Sequence, residues 1–261
     1  MTLFFMELRR SRLALTVWTV AVGLMLGISI FIYPEMSSQM NEIGDMFSQM
    51  GSFSDAFGMD QVNFGEFKGY LAVECGNVLG LGGAIFAAIV GCSVLSKEER
   101  DRTAEFLLTH PVSRASILTA KLLASVAQVA VMNLGVCLVA LLSTLAIGER
   151  VDAGLFALLF LSYLLMQIQT VAVTFGVSAF LTNGGLGIGI GISMGWYFLN
   201  ILSNLTEEAE PLKYLTPFGY ADGASVMGDE KLQIGYLATG AVMAAVGVAL
   251  AYWKYTRKDI Q

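Results

Sequence analysis

Few side chains in this sequence could carry chemistry. The single histidine, His110, stands beside Pro111 and cannot build a zinc site or a proton relay. There is no His-Glu-x-x-His pair, nucleophile elbow or phosphate-binding glycine loop, and no pair of carboxylates lies within one apolar run. Cys75, Cys92 and Cys137 fall inside apolar runs without metal-ligand spacing, so they read as small buried hydrophobes. Three polar features remain. Glu74 is the one acid well inside an apolar run, where an ionisable group marks a functional site by default. It stands roughly 6 Å from the end of that run, close enough to reach an interface or a watery vestibule. The second feature is a charged stretch, Lys97, Glu98, Glu99, Arg100, Asp101 and Arg102, followed by Glu105, Phe106, Leu107 and Leu108 before Pro111 stops the helix. It reads either as a helix along a membrane surface or as a solvated loop that fixes topology. The third feature is a set of polar stripes. Tyr163, Gln167, Thr170, Thr174 and Ser178 share one helix face, as do Ser193, Trp196, Asn200 and Asn204, with Tyr197 adjacent. Ser125 and Gln128 share a third face, with Asn133 on another, and Glu74 shares one with Asn77. Such faces avoid lipid. They either bond helices together or line a pathway.

The elements that must position these residues are membrane spans. The chain has 261 residues, 56% apolar and 14% charged, with a mean hydropathy of +0.67; an ordinary soluble domain is about 25% charged. A water-soluble globular enzyme and a disordered chain are both excluded by those figures. The net charge of −6 argues against nucleic acid as a partner. A bilayer core needs about 20 apolar helical residues, and six such runs occur: 13–33, 70–95, 117–147, 154–180, 184–203 and 235–253. The fourth and fifth are separated by Leu181-Thr182-Asn183 and the turn signal Asn183-Gly184-Gly185.

With the N-terminus in the cytoplasm, the inner segments hold 11 basic residues and the outer segments 4, so the positive-inside rule places both termini inside. The first run is 21 residues long and lacks a cleavage site, so it reads as an uncleaved span rather than a signal peptide. Residues 1–12 set Leu3, Phe4, Phe5 and Leu8 against Glu7, Arg9, Arg10 and Arg12, a pattern that predicts a short interfacial helix. The outer loops 34–69 and 204–234 are too short for independent domains. Glycine recurs every four positions at Gly23 and Gly27, at Gly76 and Gly80, and at Gly187, Gly191 and Gly195, spacing that lets helices approach closely.

The stretch Leu95-Ser96-Lys97-Glu98-Glu99-Arg100, then Thr103-Ala104-Glu105-Phe106-Leu107-Leu108, Pro111-Val112-Ser113-Arg114 and Lys121, resembles the signature of ABC transporter permeases of the type-2 exporter family. Leu215-Thr216-Pro217-Phe218-Gly219-Tyr220 is similar to a second, weaker feature of that family. The resemblance runs the length of the chain. It implies an all-α polytopic membrane protein, residues 1–261 forming one permease domain of six transmembrane helices, with an N-terminal interfacial helix and a cytoplasmic coupling helix. That coupling helix would comprise Lys97, Glu98, Glu99, Arg100, Asp101, Arg102, Glu105 and Phe106, docking on a separate ATPase. Two ATPase copies and a second permease copy, in a homodimer or with a related permease, are the implied partners beside the bilayer. The chain itself would hold no cofactor or metal and no catalytic residue; ATP and magnesium would sit on the ATPase. The implied place is the bacterial plasma membrane, and the implied activity is export of an amphipathic drug, antimicrobial peptide or lipid-like substrate.

The polar lining expected for that pathway is Glu74, Asn77, Gln128, Gln167, Thr170, Ser193, Trp196 and Asn200. Two other readings stay open. An ion-coupled transporter or ion-exporting permease would need buried ionisable groups, for which Glu74 is the candidate. A non-transporting scaffold or sensor subunit would need no pathway.

Overall fold

An apolar segment in a bilayer satisfies its backbone most simply as a helix, and each of the six runs is helical. The computed structural model describes residues 2–37, 56, 62–63, 65–100, 113–181 and 185–257, with the side chains of residues 2, 97–100 and 207 left out. Helix α1 spans Thr2–Ser37. Helix α2 (Phe67–Cys75) passes through a π-helical turn (Gly76–Gly80) into α3 (Leu81–Arg100). Helix α4 spans Arg114–Ala146, α5 Ala153–Ser178 and α6 Leu186–Leu205. Two 3-10 segments, Glu207–Leu215 and Pro217–Tyr220, lead to the short α7 (Gly223–Asp229) and then to α8 (Ile234–Arg257). Among the described residues six helices are long and apolar enough to cross a membrane, α2 and α3 counting as one. We call the end of the bundle that holds Thr2 and Arg257 the terminal end, and the opposite end the distal end.

The starts of these helices are written in short polar residues. The Ser113 side chain accepts from the Ser116 amide, and Asp152 accepts from the amides of Gly154 and Leu155. Thr206 and Thr216 cap the two 3-10 segments in the same way.

Helix α5 sits in the middle, packed on α3, α4 and α8, while α1 lies along α4 and α6 along α3. Exposed Leu, Ile, Val and Phe side chains stud the outer faces of α1, α4, α6 and α8, as lipid requires. Glycine lets the inner helices close up: a Cβ at Gly83 would strike the Gln167 side chain, and one at Gly91 would strike Thr174. Gly23 and Gly27 take Val139 and Ser143 of α4 against them, and Gly76 and Gly80 take Tyr163. Gly187, Gly191 and Gly195 differ from the expectation, because a Cβ there meets nothing within 4 Å. Their stripe packs against nothing among the described residues.

The N-terminal segment also departs from the sequence reading. Residues 2–12 are helical, but they run without a break into the first span, and Glu7 turns inward with 2% of its surface exposed. The reason is Lys121 on α4, itself fully buried. Its Nζ lies 2.8 Å from Glu7 Oε1 and donates to the carbonyl of Val94 on α3 at 3.1 Å. One ammonium thus ties together the terminal ends of three spans. Removing one member of a buried pair leaves a charge without its counter-ion, at about 3–5 kcal/mol, whereas replacing both can be nearly neutral. We expect Glu7→Leu and Lys121→Met each to lower the thermal midpoint of the detergent-purified protein by many degrees, and the double variant to recover most of the loss. A double variant no better than the worse single would show that the two charges do not depend on each other.

Candidate functional site

Toward the distal end the last loop does not stay outside. Thr216, Pro217, Phe218, Gly219, Tyr220 and Ala221 are buried, and so are Gly223, Ala224, Val226 and Met227. The segment folds back into the bundle and is fastened at several points. Thr216 Oγ1 donates to the carbonyl of Trp196 on α6 at 3.0 Å. Tyr220 Oη donates to Gln169 Oε1 on α5 at 2.7 Å, and burial pushes this phenol's pKa up, keeping it a donor. Gly223 lies so close to the Ala72 carbonyl and Tyr163 Oη that no Cβ fits there.

This re-entrant segment, α2, the π turn, α5 and α6 line a partly open cavity of about 30 Å³. Its polar lining comes from Asn77, Tyr163, Tyr197, Asn200, Asn204 and Asp222. Tyr197 Oη donates to Asn77 Oδ1 at 3.0 Å, and Ser225 Oγ donates to Asp222 Oδ2 at 3.0 Å. Tyr163 Oη and the Oδ1 atoms of Asn200 and Asn204 are buried without a hydrogen-bond partner among the described residues. The Gly223 amide faces Tyr163 Oη but does not close a bond of good geometry. A space of this size takes about two water molecules, and unsatisfied buried polar atoms are where such waters bind. The arrangement is a hydrogen-bonding pocket with aromatic walls and a single carboxylate. Among the described residues no cluster of three metal-ligating side chains occurs.

Of the expected pathway residues, the structure brings Asn77 and Asn200 together at this cavity. The others point elsewhere. Ser29 Oγ donates to Glu74 Oε2, so this carboxylate turns toward α1. Asn77, three residues on, reaches α6 instead: the π turn begins between them and divides the face that α-helical spacing predicts for the pair. Ser193 donates to the Ala84 carbonyl at 3.0 Å. Trp196 lends its backbone to Thr216 and packs its ring against the apolar core. Gln167 and Thr170 lie fully buried between helices, Gln167 accepting from Asn133 at 3.4 Å and Thr170 donating to the Met166 carbonyl. Gln128 donates to the Ala124 carbonyl within its own helix.

Of the charged stretch, Lys97, Glu98, Glu99 and Arg100 continue α3, while Asp101, Arg102, Glu105, Phe106 and the lone His110 lie outside the described residues. Sequence reasoning placed Tyr163, Tyr197 and Asn204 on or beside polar stripes without assigning them to a site, and it passed over Asp222. The signal for the re-entrant segment was present: between Tyr214 and Met227 only Asp222 is charged.

Six apolar helices of spanning length define a polytopic α-helical membrane protein. The family model for ABC-2 family transporter protein matches residues 1–260, and the chain belongs to that family of transport permeases. Among curated proteins none matches it.

The cavity makes the fit at Gly223 testable. A Gly223→Val variant should push the re-entrant segment off α2 and α5, so that limited proteolysis cuts 204–234 at least several-fold faster while the six spans stay intact. Unchanged cleavage would mean that the segment is not seated as described.

Proposed function

We propose that this chain is the permease of an ATP-driven exporter that moves an amphipathic substrate out of the cell or the membrane. It works as a dimer with two ATPase subunits, which carry the ATP and magnesium. Family membership over residues 1–260 supports the ATP-driven part of this reading. The 11-to-4 bias of basic residues supports an orientation with both termini in the cytoplasm of a bacterial plasma membrane. The observation that carries the substrate class is the cavity, whose lining is aromatic and hydrogen-bonding with one carboxylate.

At about 30 Å³ the cavity is far smaller than a drug-sized site of about 300 Å³ or more. It therefore represents the closed outer part of the path, and passage requires the re-entrant segment to separate from α2 and α6. The ATPase would deliver that motion through the charged end of α3. This end is held to α1 and α4 by the Lys121 contact at Val94, and to α5 where Ser178 Oγ accepts from the Leu95 and Ser96 amides. Pulling on α3 then moves four spans as a unit, a rigid-body movement rather than a sliding of helices past one another. The ion-coupled alternative loses support from Glu74, whose carboxylate turns to α1 rather than into the cavity.

Two measurements test the reading. Reversing Glu98 and Glu99 to Lys should cut co-purification with the cognate ATPase at least tenfold while the permease stays folded. Full substrate-stimulated ATPase activity in the double variant would overturn the coupling role. Asn200→Ala should change the order of preference among transported amphiphiles with little change in thermal stability. An unchanged substrate profile together with lost stability would make Asn200 a packing residue and remove it from the path.

A further inference from the structure

Helices α5 and α8 meet through glycine backbones. A Cβ on Gly176 would run into Gly247, and one on Gly247 into Ala172 and Val173. With the helices so close and no side chains at the contact, a furrow of about 520 Å³ is left on the outer face. Its walls include Val173 and Gly176 on α5, Phe180 just past the end of α5, and Val246, Gly247 and Leu250 on α8. Phe180, Val246 and Leu250 are exposed rather than covered by other parts of the chain. The furrow follows roughly 10–12 Å of each helix toward the terminal end.

One cation stands where it reaches that end, and a second lies one turn further along α8. Lys254 Nζ lies 5.7 Å from the centre of the Phe180 ring, which is itself part of the furrow wall. The Arg257 guanidinium lies 5.5 Å from the centre of the Trp253 ring. Aromatic faces hold both groups in place, and neither has an acidic partner among the described residues. Neither α5 nor α8 contains an Asp or Glu. An apolar slot that ends in positive charge with no acidic partner among the described residues matches a ligand with a hydrocarbon tail and an anionic head.

We infer that this furrow is a binding site for an anionic phospholipid, with one acyl chain between α5 and α8 and the head-group phosphate at Lys254 and Arg257. The site lies on the bundle exterior, away from the distal cavity, and it does not rest on the direction or substrate of transport. The apolar wall supplies binding to any phospholipid. The two cations supply the selectivity, because each basic side chain near a head group favours negative charge by roughly a fivefold change in affinity.

The test uses the full chain purified in detergent and exchanged into equal amounts of phosphatidylglycerol and phosphatidylcholine with matched palmitoyl and oleoyl chains, read by native mass spectrometry. The parent should retain phosphatidylglycerol about tenfold or more over phosphatidylcholine. Lys254→Gln and Arg257→Gln should each cut that preference about fivefold. Both residues are at least partly exposed, so these variants should fold. Val246→Trp, which fills the slot, should lower retention of both lipids. Equal retention of the two lipids by the parent overturns the proposal, as does a preference that survives loss of both charges. Dissociation of a dimer by Val246→Trp, with lipid retention unchanged, would assign the furrow to a second copy of the chain and also overturn it.

Discussion

The constraint on which this bundle depends is that α5 carries a full stripe of polar side chains through a solvent that cannot hydrogen-bond them. Tyr163, Gln167, Thr170, Thr174 and Ser178 have no exposed surface to speak of. Gln167, Thr170, Thr174 and Ser178 meet a neighbouring span or their own backbone, while Tyr163 Oη is left to face the cavity. Thr170 and Thr174 bond carbonyls one turn back, Gln167 meets Asn133, and Ser178 accepts from α3. The cost of admitting these groups to the interior is room, which is why the facing helix offers Gly76, Gly80, Gly83 and Gly91 along the contact. Larger side chains there would force α3 away and leave the stripe facing hydrocarbon. Helix α4 closes on the same stripe through Asn133, while α8 packs on α5 at Gln169, Ala172, Val173 and Gly176.

The same logic explains the irregular turn in the second span. Tyr163 is too large for a regular helix–helix seam, and its ring rests on Gly76 and Gly80 at the two ends of the π turn. The backbone widens where the side chain demands volume. Asn77, inside that turn, swings to Tyr197 and becomes part of the cavity wall. A packing accommodation and a candidate binding residue are thus one feature, in keeping with the frequency of π turns at functional positions.

The spans were legible because hydrocarbon thickness and helix rise leave little freedom in length, and the observed ends of α4, α5, α6 and α8 lie within a few residues of the apolar runs. Two of the cavity residues, Asn77 and Asn200, were also legible, since polar groups in a span face inward. What was not legible has a common physical origin. Glu7 was read with its charged neighbours as a solvated face, because its partner Lys121 lies far along the chain and neither residue announces the other. The face shared by Glu74 and Asn77 assumed an α-helical pitch that the π turn breaks. The re-entrant segment was read as an outer loop because Pro and Gly usually mark exposed turns, yet its near absence of charge between Tyr214 and Met227 is the mark of a buried one.

The Glu7–Lys121 contact also constrains the order in which the molecule can be made. Glu7 emerges with the first span, whereas Lys121 is synthesised only after the second span is complete. Until then the carboxylate must stay in the hydrated head-group region, and its place about one and a half turns into a long helix allows that without lifting the apolar part out of the bilayer. When α4 arrives, its ammonium draws the first helix inward along α4 and closes on Val94 of α3. The contact that joins the first three spans can therefore form only once the third of them has been made.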